Sequence, residues 1–172
     1  VGDRSPDLED PTILKGAFET VQSLIEGGVL TAGHDRSDGG LITTLLEMAF
    51  SGNCGFEVEL EGHGSASDPL HPAAPLPVLF SEELGLVFEA PMEEGDRILE
   101  AFWAVGVPCQ TIGRTLAEPR VRVSVGDQLV LDEAMPDLRG IWEETSFQLD
   151  RLQADPHRVE EEKESLRTRT GP

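Results

Sequence analysis

The chain has 172 residues, 38% of them hydrophobic and only 5% aromatic, with no tyrosine. That length holds one domain plus an extension, with a core expected from Leu, Val, Ile and Ala and with Phe and two Trp as larger fillers. Thirty-three Asp and Glu against 13 Lys and Arg give a formal charge of −20, a field that repels phosphate backbones and anionic membranes and so argues against nucleic-acid and membrane partners.

Asp10 and Pro11 open a first helix as N-cap and first helical residue. Leu14, Ala17, Phe18, Val21, Leu24 and Ile25 recur at intervals of three and four, which predicts one buried face, and Gly27-Gly28 closes the helix. Val29 to Gly33 reads as a short buried strand, His34 to Gly40 as a loop, and Leu41 to Phe50 as a second helix ending near Gly52. Phe56, Val58 and Leu60 alternate with acids, the pattern of a half-exposed strand. Residues 61–77 carry four Pro among Gly, Ser and Asp and read as a surface loop, with His63 and His71 exposed in it.

Val78-Leu79-Phe80 and Leu84 to Phe88 are expected as two strands either side of the polar turn Ser81-Glu82-Glu83. A helix from Met92 to Val105 turns Ile98, Leu99, Phe102 and Val105 inward, and Cys109 to Ile112 is expected as a strand. Val121, Val123 and Val125 alternate with polar residues, and Gly126-Asp127 turns the chain into Leu129-Val130-Leu131 to make a hairpin. From Asp137 the pattern is helical through Leu138, Ile141, Trp142, Thr145, Leu149 and Leu152. Residues 154–172 have almost no apolar face and read as a charged linker or arm that cannot anchor itself. The order predicts an α+β domain over 1–153, with helices on a mixed, mainly antiparallel sheet.

Cys54 and Cys109 are too few for a disulfide framework and lack metal-ligand spacing, so both are expected as buried free thiols of a reducing compartment. No apolar stretch approaches the roughly 20 residues that span a bilayer, and no secretory pattern is visible. The cytosol is the expected location. Val1 in place of Met suggests an excised or processed fragment.

The chemistry concentrates in His34-Asp35-Arg36-Ser37-Asp38-Gly39-Gly40. A strand that ends in a Gly-containing loop and leads at once into a helix presents backbone N–H groups to an anion. Asp35 and Asp38 offer hard oxygens and Ser37 a hydroxyl. A carboxylate beside a phosphate repels it unless a divalent cation lies between, which suggests Mg²⁺ on Asp35 with nucleotide phosphate near Ser37 and the glycines. The competing reading is a capped turn, with Ser37 or Asp38 as N-cap and the glycines making the bend. Spacing alone favours the capped turn. His34 is read as a hydrogen-bonded structural residue rather than a base.

Gly33 to Leu41, followed by Leu46 to Gly55, resembles the large form of phosphoribosylformylglycinamidine synthase. Leu79-Phe80-Ser81-Glu82-Glu83-Leu84-Gly85 and the stretch Trp142 to Gln153 resemble the same family in the same order. The resemblance spans most of residues 11–165 and fails only in 61–77. It implies a ligase that converts formylglycinamide ribonucleotide, ATP and glutamine to formylglycinamidine ribonucleotide, ADP, phosphate and glutamate. Such an enzyme has two tandem aminoimidazole-ribonucleotide-synthetase-like halves and a C-terminal glutaminase. This chain would be the C-terminal subdomain of the second half, where a nucleotide (ATP or ADP) is held with Mg²⁺ largely by the preceding subdomain.

By motif, Asp35 would be the metal ligand and Ser37 the nucleotide contact, with Asp38, Gly39 and Gly40 shaping the loop. No catalytic residue is assigned, and neither Cys54 nor Cys109 inherits the glutaminase nucleophile. The fragment alone would then be inactive, its partners being the other domains of the same polypeptide. Two alternatives are a free-standing acidic interaction domain and a selenophosphate- or hydrogenase-maturation-type relative. The Trp142 to Gln153 stretch speaks against the second of these.

Overall fold

Alternation along the sequence builds the main sheet. Val121, Val123 and Val125 of β5 (Arg120–Val125) are buried while Arg120, Arg122 and Ser124 face outward, the period of two that gives a strand one dry face. Phe56, Val58 and Leu60 do the same in β2 (Gly55–Leu60). These strands pair in parallel, Phe56 opposite Val121 and Leu60 opposite Val125. Antiparallel β4 (Gly113–Leu116) and β6 (Gln128–Ala134) flank them, giving the order β4-β2-β5-β6. The computed structural model describes residues 10–62 and 74–169 together with Leu8 and Gly171. Most of the expected 61–77 loop, with His63 and His71, lies outside the described residues.

Helix α2 (Gly40–Gly52) lays Ile42, Leu45, Ala49 and Phe50 on the dry face, and Met135 at the start of α5 (Met135–Gln153) completes that core. Burying a large side chain of this kind contributes roughly 1.5–3 kcal/mol. A second antiparallel pair, β1 (Ala32–Asp35) with β3 (Leu86–Glu89), stands apart from the four-stranded sheet. Val87 of β3 packs on the main core. Its neighbour Phe88 packs on a second core formed by α1 (Pro11–Glu26) and α4 (Gly95–Ala104) with Val29 and Val107, stacking on Phe102 at 5.8 Å. The β1–β3 ribbon thereby joins the two cores. This is the α+β, mainly antiparallel arrangement that the order of elements predicts.

The departures have local causes. The strand expected at 29–33 begins only at Ala32, because the chain after α1 is spent on closing the helix. Gly28 takes φ +65° and the Val29 N–H donates to the Leu24 carbonyl at 2.9 Å, a left-handed C-terminal cap. Only Ala17, Thr20 and Leu24 of α1 are buried, whereas Leu14, Phe18 and Ile25 are exposed. Val78-Leu79-Phe80 is the end of a short helix, α3 (Pro75–Phe80), not a strand. Three apolar residues carry no period, and Pro75 and Pro77 sit in a first turn whose amides need no acceptor within the helix. Cys109 to Ile112 contributes no strand, and the ladder starts at Gly113. Both thiols are free and half-buried rather than fully buried, and that burial raises their pKa values.

The charged arm is anchored after all. Residues Pro156–Thr168 form α6, with Asp155 accepting the His157 N–H at 2.9 Å as N-cap. One apolar residue, Val159, is buried. Arg151 reaches Glu160 at 2.7 Å, and Lys163 pairs with Glu144. Arg139, only 3% exposed, donates to the Leu166 carbonyl at 2.7 Å and to Asn53 Oδ1 at 3.1 Å, and Asn53 in turn donates to the Arg169 carbonyl at 3.0 Å. A buried guanidinium thus ties the end of α6 to the residue that caps α2.

Two outcomes are expected. Arg139→Ala removes two charge-assisted hydrogen bonds and strands their acceptors, at a cost of about 2–4 kcal/mol, measurable as a drop in thermal stability. The Lys163 and Gln148 hydrogen bonds lower the Glu144 pKa, and the Arg151 hydrogen bond lowers that of Glu160. Their contribution is therefore complete above the ordinary glutamate range and is lost as pH falls through the lowered folded values. On acidification the protection of α6 amides, taken relative to their intrinsic exchange rates, should fall before that of β5 does.

Candidate functional site

Strand pairing assembles the site. Asp35 at the end of β1 lies opposite Leu86 at the start of β3, so the segments 36–39 and 81–85 leave the same end of the ribbon side by side. Three hydrogen bonds join them. The Arg36 N–H donates to the Gly85 carbonyl at 2.8 Å, Arg36 Nε to the Glu83 carbonyl at 2.5 Å, and the Gly39 N–H to Glu82 Oε1 at 3.0 Å. Burial lowers the Arg36 pKa, and the Glu83 carboxylate opposes that shift.

Gly39 and Gly40 have φ of +85° and +74°, which glycine adopts without a Cβ clash. At Gly40 the need is also spatial: a Cβ there would lie 2.7 Å from the Leu79 carbonyl oxygen and 2.8 Å from Phe80 Cα. The start of α2 therefore presses directly on the backbone at the end of α3.

Both readings of the glycines need correction. Neither Ser37 nor Asp38 caps α2. The N-cap is Gly39, with no side-chain cap bond of its own, and a carboxylate from 43 residues downstream takes the amide instead. Nor are the glycine amides open to a phosphate as they stand, because Gly39 is bonded to Glu82 and the Gly40 N–H to the Ser37 carbonyl at 3.0 Å.

What the loop leaves outward is its side chains. Asp35, Ser37 and Asp38 are exposed. The Asp35 carbonyl accepts the Thr44 hydroxyl at 3.1 Å and His34 Nδ1 at 2.7 Å, which fixes the backbone at that residue. Its carboxylate is 69% exposed and lies 3.4 Å from His34 Nδ1. His34 Nε2 lies 3.3 Å from Glu47 Oε2. His34 is thus the hydrogen-bonded support its isolation in the sequence suggests. Thr44, Glu47 and Glu82 are the members that sequence reading missed. Thr44 stands one helical turn after Gly40, and that spacing was the available signal. For Glu82, nothing before the fold itself placed it at the loop.

Among the described residues no three or more His, Cys, Asp or Glu gather to hold a metal ion. Asp35 offers a single hard oxygen donor at an exposed rim, which fits one half of a shared cation site and not a self-contained one.

An α+β domain with a strand–loop–helix corner gripped by a second turn defines the class. The chain belongs to the AIR synthase related protein, C-terminal domain family, whose model matches residues 2–126. Over its whole length it is 46% identical to the phosphoribosylformylglycinamidine synthase of Homo sapiens and 42% identical to the probable chloroplastic/mitochondrial phosphoribosylformylglycinamidine synthase of Arabidopsis thaliana. It covers 12% of each of those proteins, so it spans about one eighth of their length.

Among solved structures, T. maritima PurL complexed with ADP matches at 25% identity and a TM-score of 0.62, over 74% of this chain and 22% of that one. The same protein complexed with FGAR matches at 24% identity and a TM-score of 0.63, over 80% and 23%, and there the likeness is one of fold. No helix among the described residues is long and apolar enough to cross a membrane.

Two of the left-handed glycines, Gly28 and Gly40, separate conformation from contact. A Cβ at Gly28 meets nothing within 4 Å, so Gly28→Ala should cost only about 1–2 kcal/mol for the left-handed backbone. Gly40→Ala adds an overpacking cost of roughly 1–3 kcal/mol. Equal losses in denaturant titrations of the two variants would show that the backbone contact at Gly40 is unimportant.

Proposed function

We propose that this chain is the C-terminal subdomain of the second synthetase-like half of a phosphoribosylformylglycinamidine synthase. That enzyme is the ATP- and glutamine-dependent ligase that makes formylglycinamidine ribonucleotide from formylglycinamide ribonucleotide in purine biosynthesis. The observation that carries this reading is the loop itself. The 34–40 and 81–85 segments, both within the motifs that carry the resemblance, interlock and leave Asp35 and Ser37 outward on a corner hydrogen-bonded at both ends. A nucleotide ligand is supported by the likeness to T. maritima PurL complexed with ADP.

In this role Asp35 supplies one oxygen ligand to Mg²⁺ and Ser37 one hydrogen bond to the nucleotide. The ion would screen phosphate from a chain of charge −20. The remaining ligands come from the preceding subdomain of the same polypeptide. The exposed apolar side chains Leu14, Phe18 and Ile25 of α1 and Trp103 of α4 suit burial against such neighbours. Past α6 the chain would lead toward the glutaminase, and the enzyme would be cytosolic.

Asp35→Asn in the parent enzyme removes a direct oxygen ligand and should weaken Mg-ADP binding by at least roughly 10–100-fold, the loss typical of removing only a partner behind a metal ligand. Ser37→Ala should weaken it about fivefold, the worth of one hydrogen bond. Calorimetric titration reads both. The 172-residue chain alone should show no synthetase activity. An Asp35→Asn enzyme that binds Mg-ADP as before would sink this reading in favour of an acidic interaction domain.

A further inference from the structure

The end of α2 that faces the loop has an unusual solution to a general problem. The first amides of a helix lack acceptors within it, and a Ser, Thr, Asp or Asn at the N-cap normally supplies one. Here the N-cap is Gly39, which has no side chain to offer, and its left-handed backbone together with the Thr43 side chain, whose Cβ would lie 3.0 Å from a Cβ built there, leaves little room for one. The acceptor comes instead from Glu82, on the turn before β3, at 3.0 Å from the Gly39 amide. A carboxylate at that position also meets the positive end of the helix dipole.

The other two links between the segments, from Arg36 to the Glu83 and Gly85 carbonyls, lie on the strand side of the loop. Ser37 and Asp38 sit between these two attachments and make no side-chain hydrogen bond of their own among the described residues. The loop is therefore held at both ends by the 81–85 turn and free only in the middle, where its outward side chains are. On the helix side, Glu82 is the one side chain among the described residues that closes this bracket.

From this geometry we infer that Glu82 is the positioning residue of the site: it caps α2 from outside the helix and so presets Ser37 and, through the start of α2, Asp35 for their ligand. Thr44 on the first turn of α2 carries the effect to Asp35, since its hydroxyl lies within hydrogen-bonding distance of both the Gly40 and Asp35 carbonyls. Glu82 itself touches neither metal nor nucleotide in this scheme. Removing it loosens the loop without deleting a ligand. The ligand's identity as Mg-nucleotide rests on the function proposed above, but the capping role does not.

The test uses the full-length enzyme that carries this chain, as wild type, Glu82→Ala, Glu82→Gln and Asp35→Asn. Two quantities are read: amide exchange across 36–42 without ligand, and Mg-ADP affinity. Glu82→Ala should accelerate exchange at Gly39 while leaving β5 as slow as before. It should also weaken Mg-ADP about fivefold, the fold-change equivalent of a lost helix cap. Glu82→Gln keeps an oxygen acceptor and should recover most of both. Unchanged Gly39 exchange in Glu82→Ala overturns the capping role. Faster exchange with unaltered Mg-ADP affinity, in a preparation where Asp35→Asn does lose affinity, overturns its service to the site. If Asp35→Asn binds Mg-ADP normally, the nucleotide reading fails by itself, and Gly39 exchange still decides whether Glu82 caps the loop.

Discussion

Direct backbone contact between the start of α2 and the end of α3 is the constraint on which the rest of the corner depends. Gly40 is buried, left-handed and without space for a Cβ against Leu79 and Phe80. Because α2 can approach that closely, the turn after α3 reaches the loop before α2, and all three hydrogen bonds between them become possible. A few tenths of an ångström matter here because both partners are main chain, which cannot swing aside as a side chain can. The same helix spreads Ile42, Leu45, Ala49 and Phe50 over the sheet, so the loop's position is set by the core together with the Gly40 contact.

That division explains what could be read in advance. The hairpin through Gly126-Asp127, the alternation in β2 and β5 and the helix after Asp137 all announce themselves through period and turn chemistry, which are local. The loop 34–40 was legible as a corner for the same reason. Its attachments were not, since Glu82 and Glu83 look like any polar turn until β1 and β3 pair. The parallel pairing of β2 with β5 was equally hidden, because alternation specifies a buried face and carries no strand direction. Val78 to Phe80 misled because three apolar residues fit a strand or a helical turn equally well. The charged arm misled because its anchorage lies mostly in ion pairs and in Arg139 on another helix, with Val159 as the one buried apolar side chain.

The distribution of charge follows a related logic. Arg114 faces Glu57, Arg120 and Arg122 face Asp132 and Glu118 across the outer side of the sheet, and Arg151 and Lys163 face acids between α5 and α6. Exposed pairs of this kind add little stability individually. Their collective effect is that much of the scarce positive charge is already neutralised inside the fold. The outward field is then set by the unpaired acids and opposes the approach of an anionic ligand to the Asp35 rim.

The bridge through Arg139 and Asn53 has a geometric consequence. Asn53 caps the far end of α2 and holds the Arg169 carbonyl. The chain at Arg169 is therefore moored beside the opposite end of the same helix that carries the loop. Thirteen residues at 1.5 Å each set that distance at about 20 Å. The two ends of α2 act as fixed terminals of one stiff rod, so the Arg169 carbonyl is registered against the Asp35 corner by a spacer of constant length.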